Sequence, residues 1–327
     1  MRDLKTILVT GGAGFIGSNL CAYFLSKNYK VRCLDNLLTG HKSNISELLS
    51  HENFEFLELD IRDYESCLIA SKGVDMVSHQ AALGSVPRSI NNPIPTNEIN
   101  CHGFLNMLNA AKENRVKRFV YASSSSVYGD SKASPKQESN LGVPLSPYAV
   151  SKLTNELYGK IFHDLYGMET IGLRYFNVFG KNQDPNGAYA AAIPKFIGLF
   201  QNGISPEIHG DGNQTRDFTY IKNVIHANEQ GLLVDNVEAF GQAYNVACGS
   251  SYTLNRVVSS IKTSLLDKGA KIEEVNPKHV ESRQGDIRDS LADISKIERL
   301  LNYKVQYSFD EGMKEYVQFI LEPYSCY

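Results

Sequence analysis

A tyrosine and a lysine four residues apart, Tyr148 and Lys152, form the first candidate catalytic pair in the 327-residue chain. They follow Pro147 at the start of a helix-compatible stretch, so their side chains should share one face of that helix. A neighbouring ammonium group favours the phenolate and lowers the tyrosine pKa. Such a tyrosine can take a proton from a substrate hydroxyl. The chain has 18 tyrosines, so this spacing can also arise by chance.

Four consecutive serines, Ser123 to Ser126, end a strand-like run and precede the segment Val-Tyr-Gly. Parallel strands present their carboxyl ends to the ligand crevice, so a hydroxyl there could bond the reacting oxygen. The alternative is a solvated polar turn. The position between an apolar strand and the helix of Tyr148 favours the functional interpretation.

Three glycines directly after the first strand, Gly11, Gly14 and Gly17, predict a phosphate-binding loop that opens the first helix. The first glycine permits a tight turn, the second lets backbone approach a pyrophosphate, and the third allows close packing of helix on strand. A glycine-rich turn without a ligand is the alternative. Asp35 ends the next strand, where a carboxylate would meet the ribose hydroxyls of adenosine and repel a 2′-phosphate. The sequence therefore predicts NAD rather than NADP.

A second acid, Asp60, ends the third strand and is a candidate acceptor for the adenine amino group. The equally weighted alternative is an acidic residue in a surface loop.

Strands that alternate with helices in the first half predict an α/β fold with a doubly wound parallel sheet of the Rossmann type. The expected strands are Lys5–Thr10, Tyr29–Leu34, Phe54–Leu59, Val74–His79, Arg118–Ser123 and Thr170–Arg174, and the expected helices are Phe15–Lys27, Asn97–Asn114 and Tyr148–Tyr166. After about Phe176 turn-forming residues become frequent, which predicts a smaller mixed α/β domain. We therefore expect a cofactor domain over 1–176 and a substrate domain over 177–327, with later segments free to return to the first.

The second half also contains four recognisable elements. They are helices near Ile221–Leu233 and Leu254–Leu266, a strand near Ala243–Val246 and a helical tail from Phe309.

Composition excludes several classes of function. The net charge of −3 and pI near 6.3 give no overall basic footprint for nucleic acid or anionic membrane. The six cysteines form no C-x-x-C pair or Cys/His cluster, so we expect free thiols and no metal site. Without a signal-like N-terminus or a membrane-length apolar run, a soluble cytoplasmic protein is expected.

The segments GGAGFIG, SSSSVYG, YAVSK and LRYFNVFG resemble the extended short-chain dehydrogenase/reductases that act on nucleotide sugars. The segments HQAALGSVPRSI, YFNVFGKNQDPNGAYAAAIPKF and GDGNQTRDF are more specifically similar to UDP-N-acetylhexosamine 4-epimerases. This resemblance, which runs over nearly the whole chain, implies a tightly bound NAD that is regenerated in each turnover, a UDP-sugar substrate and a cytoplasmic homodimer. It places the catalytic set on Ser124, Tyr148 and Lys152.

The resemblance also implies the binding residues. For NAD they are Gly11, Gly14, Phe15, Ile16, Gly17, Asp35, Asn36, Asp60, Ile61, Gln80, Ala81, Ala82, Tyr148, Lys152 and Tyr175. For the UDP-sugar they are Gly84, Ser85, Ser124, Ser125, Ser126, Tyr148, Asn177, Ala191, Lys195, Phe196, Ile208, Arg216, Arg283, Asp286 and Ser290.

Ser290 is the expected determinant of substrate choice. Related epimerases carry either a bulky tyrosine or a small residue there, and a serine leaves room for an N-acetyl group beside C2. Ala191 likewise replaces the asparagine of epimerases for plain hexoses. These positions imply interconversion of UDP-GlcNAc and UDP-GalNAc, with UDP-Glc as a further candidate substrate.

Two other functions remain open at this point. One is 4-epimerisation of UDP-N-acetylglucosaminuronic acid, and the other is a non-catalytic dinucleotide sensor. A dehydratase is disfavoured because Ser125 and Ser126 stand where the resemblance implies an Asp-Glu pair in dehydratase relatives.

Overall fold

The computed structural model describes residues 4–185, 191–272, 274–281 and 289–322. Its strands are β1 Thr6–Thr10, β2 Lys30–Asp35, β3 Phe54–Glu58, β4 Met76–His79, β5 Arg118–Ser124, β6 Glu169–Tyr175, β7 Val178–Phe179, β8 Glu207–His209, β9 Thr215–Asp217, β10 Thr219–Tyr220, β11 Gln242–Val246, β12 Ser251–Thr253, β13 Lys278–Val280 and β14 Asp289–Ser290. Its α-helices are α1 Phe15–Ser26, α2 Tyr64–Ser71, α3 Val86–Asn91, α4 Pro93–Asn97, α5 Phe104–Glu113, α6 Pro147–Tyr166, α7 Ala192–Gln201, α8 Ile221–Leu233, α9 Leu254–Leu266, α10 Ser295–Leu301 and α11 Phe309–Leu321.

Seven parallel strands form the main sheet, in the order β11-β6-β5-β4-β1-β2-β3. The direction of winding reverses between β1 and β4, and the carboxyl ends of these strands open the crevice in which such sheets bind ligands. The α/β Rossmann fold expected from the sequence is therefore confirmed.

Both faces of this sheet are buried. Alternate residues of β1 point to opposite layers, with Ile7 and Val9 in one hydrophobic cluster and Leu8 in the other. Helices α1 and α8 cover the first face, and α2, α5 and α6 cover the second. This two-sided burial explains why the strands are short continuous apolar runs in the sequence.

The second half supplies parts of both regions. Strand β11 pairs in parallel with β6, and α8 packs against α1 and β5, so both belong to the layers of the main sheet. The remaining second-half strands form the three-stranded sheet β12-β9-β14 and the pairs β10-β7 and β13-β8, while α9 packs against α7 and α11. The division into a cofactor domain and a substrate domain stays a prediction.

The expected elements lie within one or two residues of the observed ones. The helix expected over Asn97–Asn114 begins with a π-helical turn, Glu98–Gly103, before α5. Five of the observed helices were not expected from the sequence: α2, α3, α4, α7 and α10. Among the described residues no helix is long and apolar enough to cross a bilayer, and none of their acidic, Cys and His side chains cluster as a metal site would require.

Candidate active site

The glycine-rich loop has the geometry of an anion-binding turn. Gly11 has a φ of +64°, and its N–H donates to the carbonyl of Leu34 at 2.7 Å. A Cβ on Gly17 would lie 2.1 Å from the Gly11 carbonyl oxygen, so only glycine allows helix α1 to pack this closely on the loop. Helix α1 begins after Gly14, with no side-chain cap and no acidic residue in its first turn. Its first N–H groups and its positive dipole end therefore suit a pyrophosphate.

Asp35 lies at the carboxyl end of β2, beside that loop. Its carboxylate accepts hydrogen bonds from the backbone N–H groups of Ala13 at 3.0 Å and Leu37 at 2.8 Å. Burial raises the pKa of Asp35, and these two bonds oppose the rise. The loop thus fixes a carboxylate where the ribose hydroxyls of adenosine are expected.

Asp60, at the same end of the cleft, is already well paired. Its carboxylate accepts from the Arg62 guanidinium at 2.7 Å and from Asn36 Nδ2 at 2.8 Å. The hydrogen bond from Arg62 is the main reason that the pKa of Asp60 falls to about 2. Any contact of Asp60 with an adenine amino group would add to these bonds.

The candidate catalytic side chains meet where β5 ends and α6 begins. The Ser146 hydroxyl caps α6 by accepting from Ala149 N at 3.1 Å, and Pro147 occupies the first turn, which places Tyr148 at the helix start. Lys152 Nζ lies 5.9 Å from the centre of the Tyr148 ring. The Ser124 hydroxyl lies close enough to Tyr148 to influence its pKa through a hydrogen bond.

The electrostatics of this group differ from the sequence expectation. Burial raises the pKa of Tyr148, and the hydrogen bond with Ser124 offsets part of the rise, so the lowering expected from Lys152 is not observed. Lys152 is only 2% exposed and donates to the Ala122 carbonyl at 2.9 Å. Burial lowers its own pKa to about 8. Lys152 therefore stays mostly protonated at neutral pH, and the hydrogen bond of its ammonium group goes to the backbone rather than to the phenol.

One cleft of about 340 Å³ joins the glycine-rich loop to the catalytic pair. Every residue predicted to bind NAD lines it: Gly11, Gly14, Phe15, Ile16, Gly17, Asp35, Asn36, Asp60, Ile61, Gln80, Ala81, Ala82, Tyr148, Lys152 and Tyr175. Of the predicted substrate residues that the structure describes, Tyr148 and Gly84 line it. The residues present therefore fit an extended dinucleotide with one end at β2 and the other at the catalytic tyrosine.

Two other predicted substrate residues have unusual backbone conformations. Ser85 has a φ of +93° and caps α3 by accepting from Arg88 N at 3.3 Å. Asn177 has a φ of +34°, and its Nδ2 donates to the Asp217 carbonyl at 2.8 Å. Such strained positions concentrate at functional sites.

The substrate residues of the second half lie on several elements. Arg216 on β9 is paired with Ser290 on β14, so the two share neighbouring strands. Ala191 and Lys195 are exposed at the start of α7, whereas the side chains of Phe196 and Ile208 pack in the hydrophobic core. Arg283 and Asp286 lie outside the described residues.

The run of serines ends β5 at Ser124 and continues into a short helical turn, Ser125–Tyr128. The Ser124 hydroxyl accepts from Ser126 N at 3.1 Å. Ser125 is partly exposed, and Ser126 Oγ is buried with no hydrogen-bond partner among the described residues.

Sequence reasoning missed several residues of this site. Thr39 and Gly40 line the cleft beside Asp35. Asn100, in the π-helical turn, accepts from Leu83 N at 2.7 Å and donates to Leu83 O and Ser151 Oγ, both at 3.1 Å. It thereby ties the segment before Gly84 to helix α6. No periodic pattern in the sequence indicates a π-helical turn.

This fold and site define an extended short-chain dehydrogenase/reductase: a Rossmann sheet with a glycine-rich loop, an acid ending β2, and a Tyr/Lys pair on the helix after β5. The chain belongs to the family described as GDP-mannose 4,6 dehydratase, whose model matches residues 8–316. Within it, the relatives place the chain among the NAD-dependent 4-epimerases of UDP-sugars.

Three relatives illustrate the similarity. A putative UDP-glucose 4-epimerase of Methanocaldococcus jannaschii is 38% identical over 96% of this chain and 98% of its own length. The UDP-N-acetylglucosamine 4-epimerase of Methanobrevibacter ruminantium, solved with UDP-N-acetylmuramic acid, is 39% identical, with a TM-score of 0.90 over 98% of this chain and 100% of that one. The UDP-glucuronic acid 4-epimerase of Bacillus cereus, solved with UDP-glucuronic acid and NAD, is 30% identical, with a TM-score of 0.85 over 98% and 100%. The predicted NAD cofactor is confirmed at the level of this family.

Proposed function

We propose that the protein interconverts UDP-GlcNAc and UDP-GalNAc through a transient 4-keto sugar, with NAD retained on the enzyme. The observation that carries this proposal is that one cleft is lined by all the residues predicted to bind NAD, and that these include the catalytic pair Tyr148 and Lys152. The M. ruminantium relative, named for UDP-N-acetylglucosamine, supports the choice of sugar.

Tyr148 is the proposed base that takes the proton from the C4 hydroxyl. Because burial raises the pKa of Tyr148, nearby positive charge is needed to form the phenolate near neutral pH. Lys152, with a pKa of about 8, is mostly protonated there and supplies one such charge. Bound NAD would supply the acceptor and later the donor of the C4 hydride, and its oxidised ring would add a second positive charge.

Ser124 is the proposed hydrogen-bond partner of the same sugar oxygen. Its hydroxyl already accepts from Ser126 N and neighbours Tyr148, so it is held where it can donate to an oxygen that Tyr148 deprotonates. Epimerisation then requires the keto sugar to turn and present its other face. A dehydratase would also need an acid/base pair to expel water at C6, whereas this chain has Ser125 and Ser126 at the relevant positions.

Ser290 is proposed to make room for the N-acetyl group. It lies on β14 directly opposite Arg216 of β9, the proposed partner of the diphosphate. A guanidinium can bond two phosphate oxygens at once. A small side chain on the neighbouring strand leaves space beside the sugar that follows the diphosphate.

We also propose a homodimer formed through α6, as the family resemblance implies. Helix α6 exposes an apolar row at spacings of seven and four residues, with Val150, Leu157, Ile161 and Leu165 between 46% and 69% exposed. Ile94 on the neighbouring α4 is 69% exposed. A contiguous apolar face of this kind suits a helix-to-helix contact with a second copy.

The test of substrate choice compares kcat/KM for UDP-GlcNAc, UDP-Glc, UDP-glucuronic acid and UDP-N-acetylglucosaminuronic acid with the purified protein. We expect UDP-GlcNAc to be preferred. Preference for either uronic acid would assign the alternative epimerase function, and NAD binding without any 4-epimer product would assign the sensor function.

A further inference from the structure

A buried amide on α8, Asn228, lies beneath the end of the cleft opposite the adenosine site. It is fully buried, at 0% exposure, and does not itself line the cleft. Its neighbours are Ser78 and Gln80 at the end of β4 and Tyr175 at the end of β6, and the last two do line it. The order of strands places this group on the catalytic side of β1, away from β2 and Asp35.

A backbone carbonyl fixes the orientation of the Asn228 amide. Asn228 Nδ2 donates to the Val224 carbonyl, an oxygen that can only accept, at 2.8 Å. Asn228 Oδ1 must therefore point the other way, where it accepts from Ser78 Oγ and from Gln80 Nε2, both at 3.1 Å. The amide orientation thus follows from a group whose role is unambiguous.

The orientation of Gln80 follows from that of Asn228. The two hydrogens on Gln80 Nε2 go to Asn228 Oδ1 and, at 3.0 Å, to Ser78 Oγ. Gln80 Oε1 therefore faces Tyr175 and accepts its hydroxyl hydrogen at 3.1 Å. The second hydrogen of Asn228 Nδ2 is donated to the Tyr175 oxygen at 2.9 Å.

Every hydrogen in this network is therefore used inside the protein. What Gln80 and Tyr175 can still offer to the cleft are the unused lone pairs of their oxygens, so both are acceptors. The hydrogen-bond donors at the nicotinamide end of NAD, which need such acceptors, are the N–H₂ of its carboxamide and the hydroxyls of its ribose.

We infer that Asn228 is a positioning residue for the nicotinamide end of NAD, because it makes Gln80 and Tyr175 present acceptor oxygens to the cleft. This inference rests on the NAD part of the proposed function and not on the identity of the sugar. Without the Asn228 amide, Gln80 is free to turn over and Tyr175 to direct its hydrogen into the cleft, where it would oppose a donor.

The experiment measures NAD binding alone, with no sugar present. The Kd of NAD is determined by calorimetry on protein stripped of cofactor, together with the NAD content of protein as purified. We expect Asn228→Leu to raise the Kd about tenfold, the size expected from one lost hydrogen bond to the ligand and the disorder of its partner.

Asn223→Leu is the matched control, because Asn223 is also a fully buried asparagine on α8. Its side chain accepts from Gln306 N at 2.9 Å and Tyr307 N at 3.1 Å and donates to Tyr307 O at 2.7 Å, away from the cleft. We expect the control to lose thermal stability but to keep its Kd within about threefold. An equal rise in Kd in both variants, or an unchanged Kd in Asn228→Leu, would overturn the inference.

A double-mutant cycle on Asn228 and Tyr175 distinguishes a positioning role of Asn228 from a general structural effect. If Asn228 acts through Tyr175, the Kd changes of Asn228→Leu and Tyr175→Phe should not multiply in the double variant. Fully multiplicative changes would contradict the inference. Should Asn228→Leu fail to fold, Ser78→Ala is the substitute variant, because it removes the hydroxyl oxygen that accepts a hydrogen bond from Gln80 Nε2. We expect the Kd of this variant for NAD to rise about threefold. An unchanged Kd there would also contradict it.

The inference and the proposed function fail in different ways. A wild-type protein that binds NAD but epimerises no UDP-sugar would refute the proposed function and leave the role of Asn228 intact. An unchanged Kd in Asn228→Leu, together with normal epimerisation by the wild-type protein, would refute the role of Asn228 and leave the proposed function intact.

Discussion

Replacing Lys152 by methionine should stabilise the NAD-free protein although it removes a proposed catalytic group. Burial lowers the Lys152 pKa from 10.5 to about 8. Each pKa unit corresponds to about 1.36 kcal/mol, so the buried charge costs about 3 kcal/mol at neutral pH. Loss of the hydrogen bond to Ala122 O removes about 1 kcal/mol of stabilisation. We therefore expect Lys152→Met to unfold with a free energy about 2 kcal/mol higher than the wild type at pH 7.

The pH dependence of this difference has a definite sign. Above pH 10.5 the lysine is neutral in both the folded and the unfolded state, so the charge penalty is absent. As the pH falls through 10.5 towards 8 the unfolded state gains a proton that the folded state does not, and stability is lost. Below pH 8 the penalty is constant. The advantage of Lys152→Met should thus be largest at pH 7 and should shrink as the pH rises from 8 to 10.

Urea unfolding followed by circular dichroism at pH 7, 8.5 and 10 measures this difference directly. The protein must be free of NAD, because bound NAD would stabilise the wild type selectively. Lys160→Met is the matched control, since Lys160 lies on the same helix, is 64% exposed and pairs with Asp164. Its unfolding free energy should stay within about 0.5 kcal/mol of the wild type. A Lys152→Met variant that is no more stable than the wild type at pH 7, or whose added stability does not change with pH, would show that burial of the Lys152 charge does not destabilise the fold.

Three further substitutions test the glycine-rich loop, the sugar site and the dimer interface. Gly17→Ala places a Cβ 2.1 Å from the Gly11 carbonyl oxygen, so we expect the loop to shift and NAD to be absent from the purified protein; Gly198→Ala, where a Cβ meets nothing within 4 Å, is the control and should retain NAD. Ser290→Tyr should lower kcat/KM for UDP-GlcNAc far more than for UDP-Glc, and an equal loss for both would disprove the proposed selectivity. Leu157→Glu should convert a dimer into a monomer in sedimentation analysis, whereas a dimer that persists would place the interface elsewhere.

The main sheet and the cofactor cleft could be predicted from local patterns. The strands are buried on both faces, so each appears in the sequence as a continuous apolar run. The phosphate-binding loop is recognisable because Gly11, Gly14 and Gly17 recur at every third position. Asp35 could be placed because it ends the strand after that loop. Helix α6 could be located because Pro147 and the Ser146 cap mark its beginning.

The polar groups beneath the site could not be predicted, because they depend on contacts between residues far apart in the chain. Asn228 contacts Ser78 and Gln80 across 150 and 148 residues, and it looks like an ordinary polar position of an amphipathic helix. The raised pKa of Tyr148 was missed for a similar reason. The spacing of Tyr148 from Lys152 suggests that the lysine charge lowers the tyrosine pKa. The extent to which burial raises that pKa depends on the surrounding protein, which the spacing does not reveal.

The proposed hydride transfer is tested most directly with UDP-GlcNAc that carries deuterium at C4, incubated in ordinary water with the purified protein and no added NAD. We expect UDP-GalNAc that retains the deuterium at C4, because the same hydride is removed and returned. We also expect Tyr148→Phe to abolish nearly all of this conversion while it leaves bound NAD in place. Loss of the label to water, or no 4-epimer from the wild-type protein with its NAD bound, would show that the protein does not epimerise UDP-GlcNAc in this way.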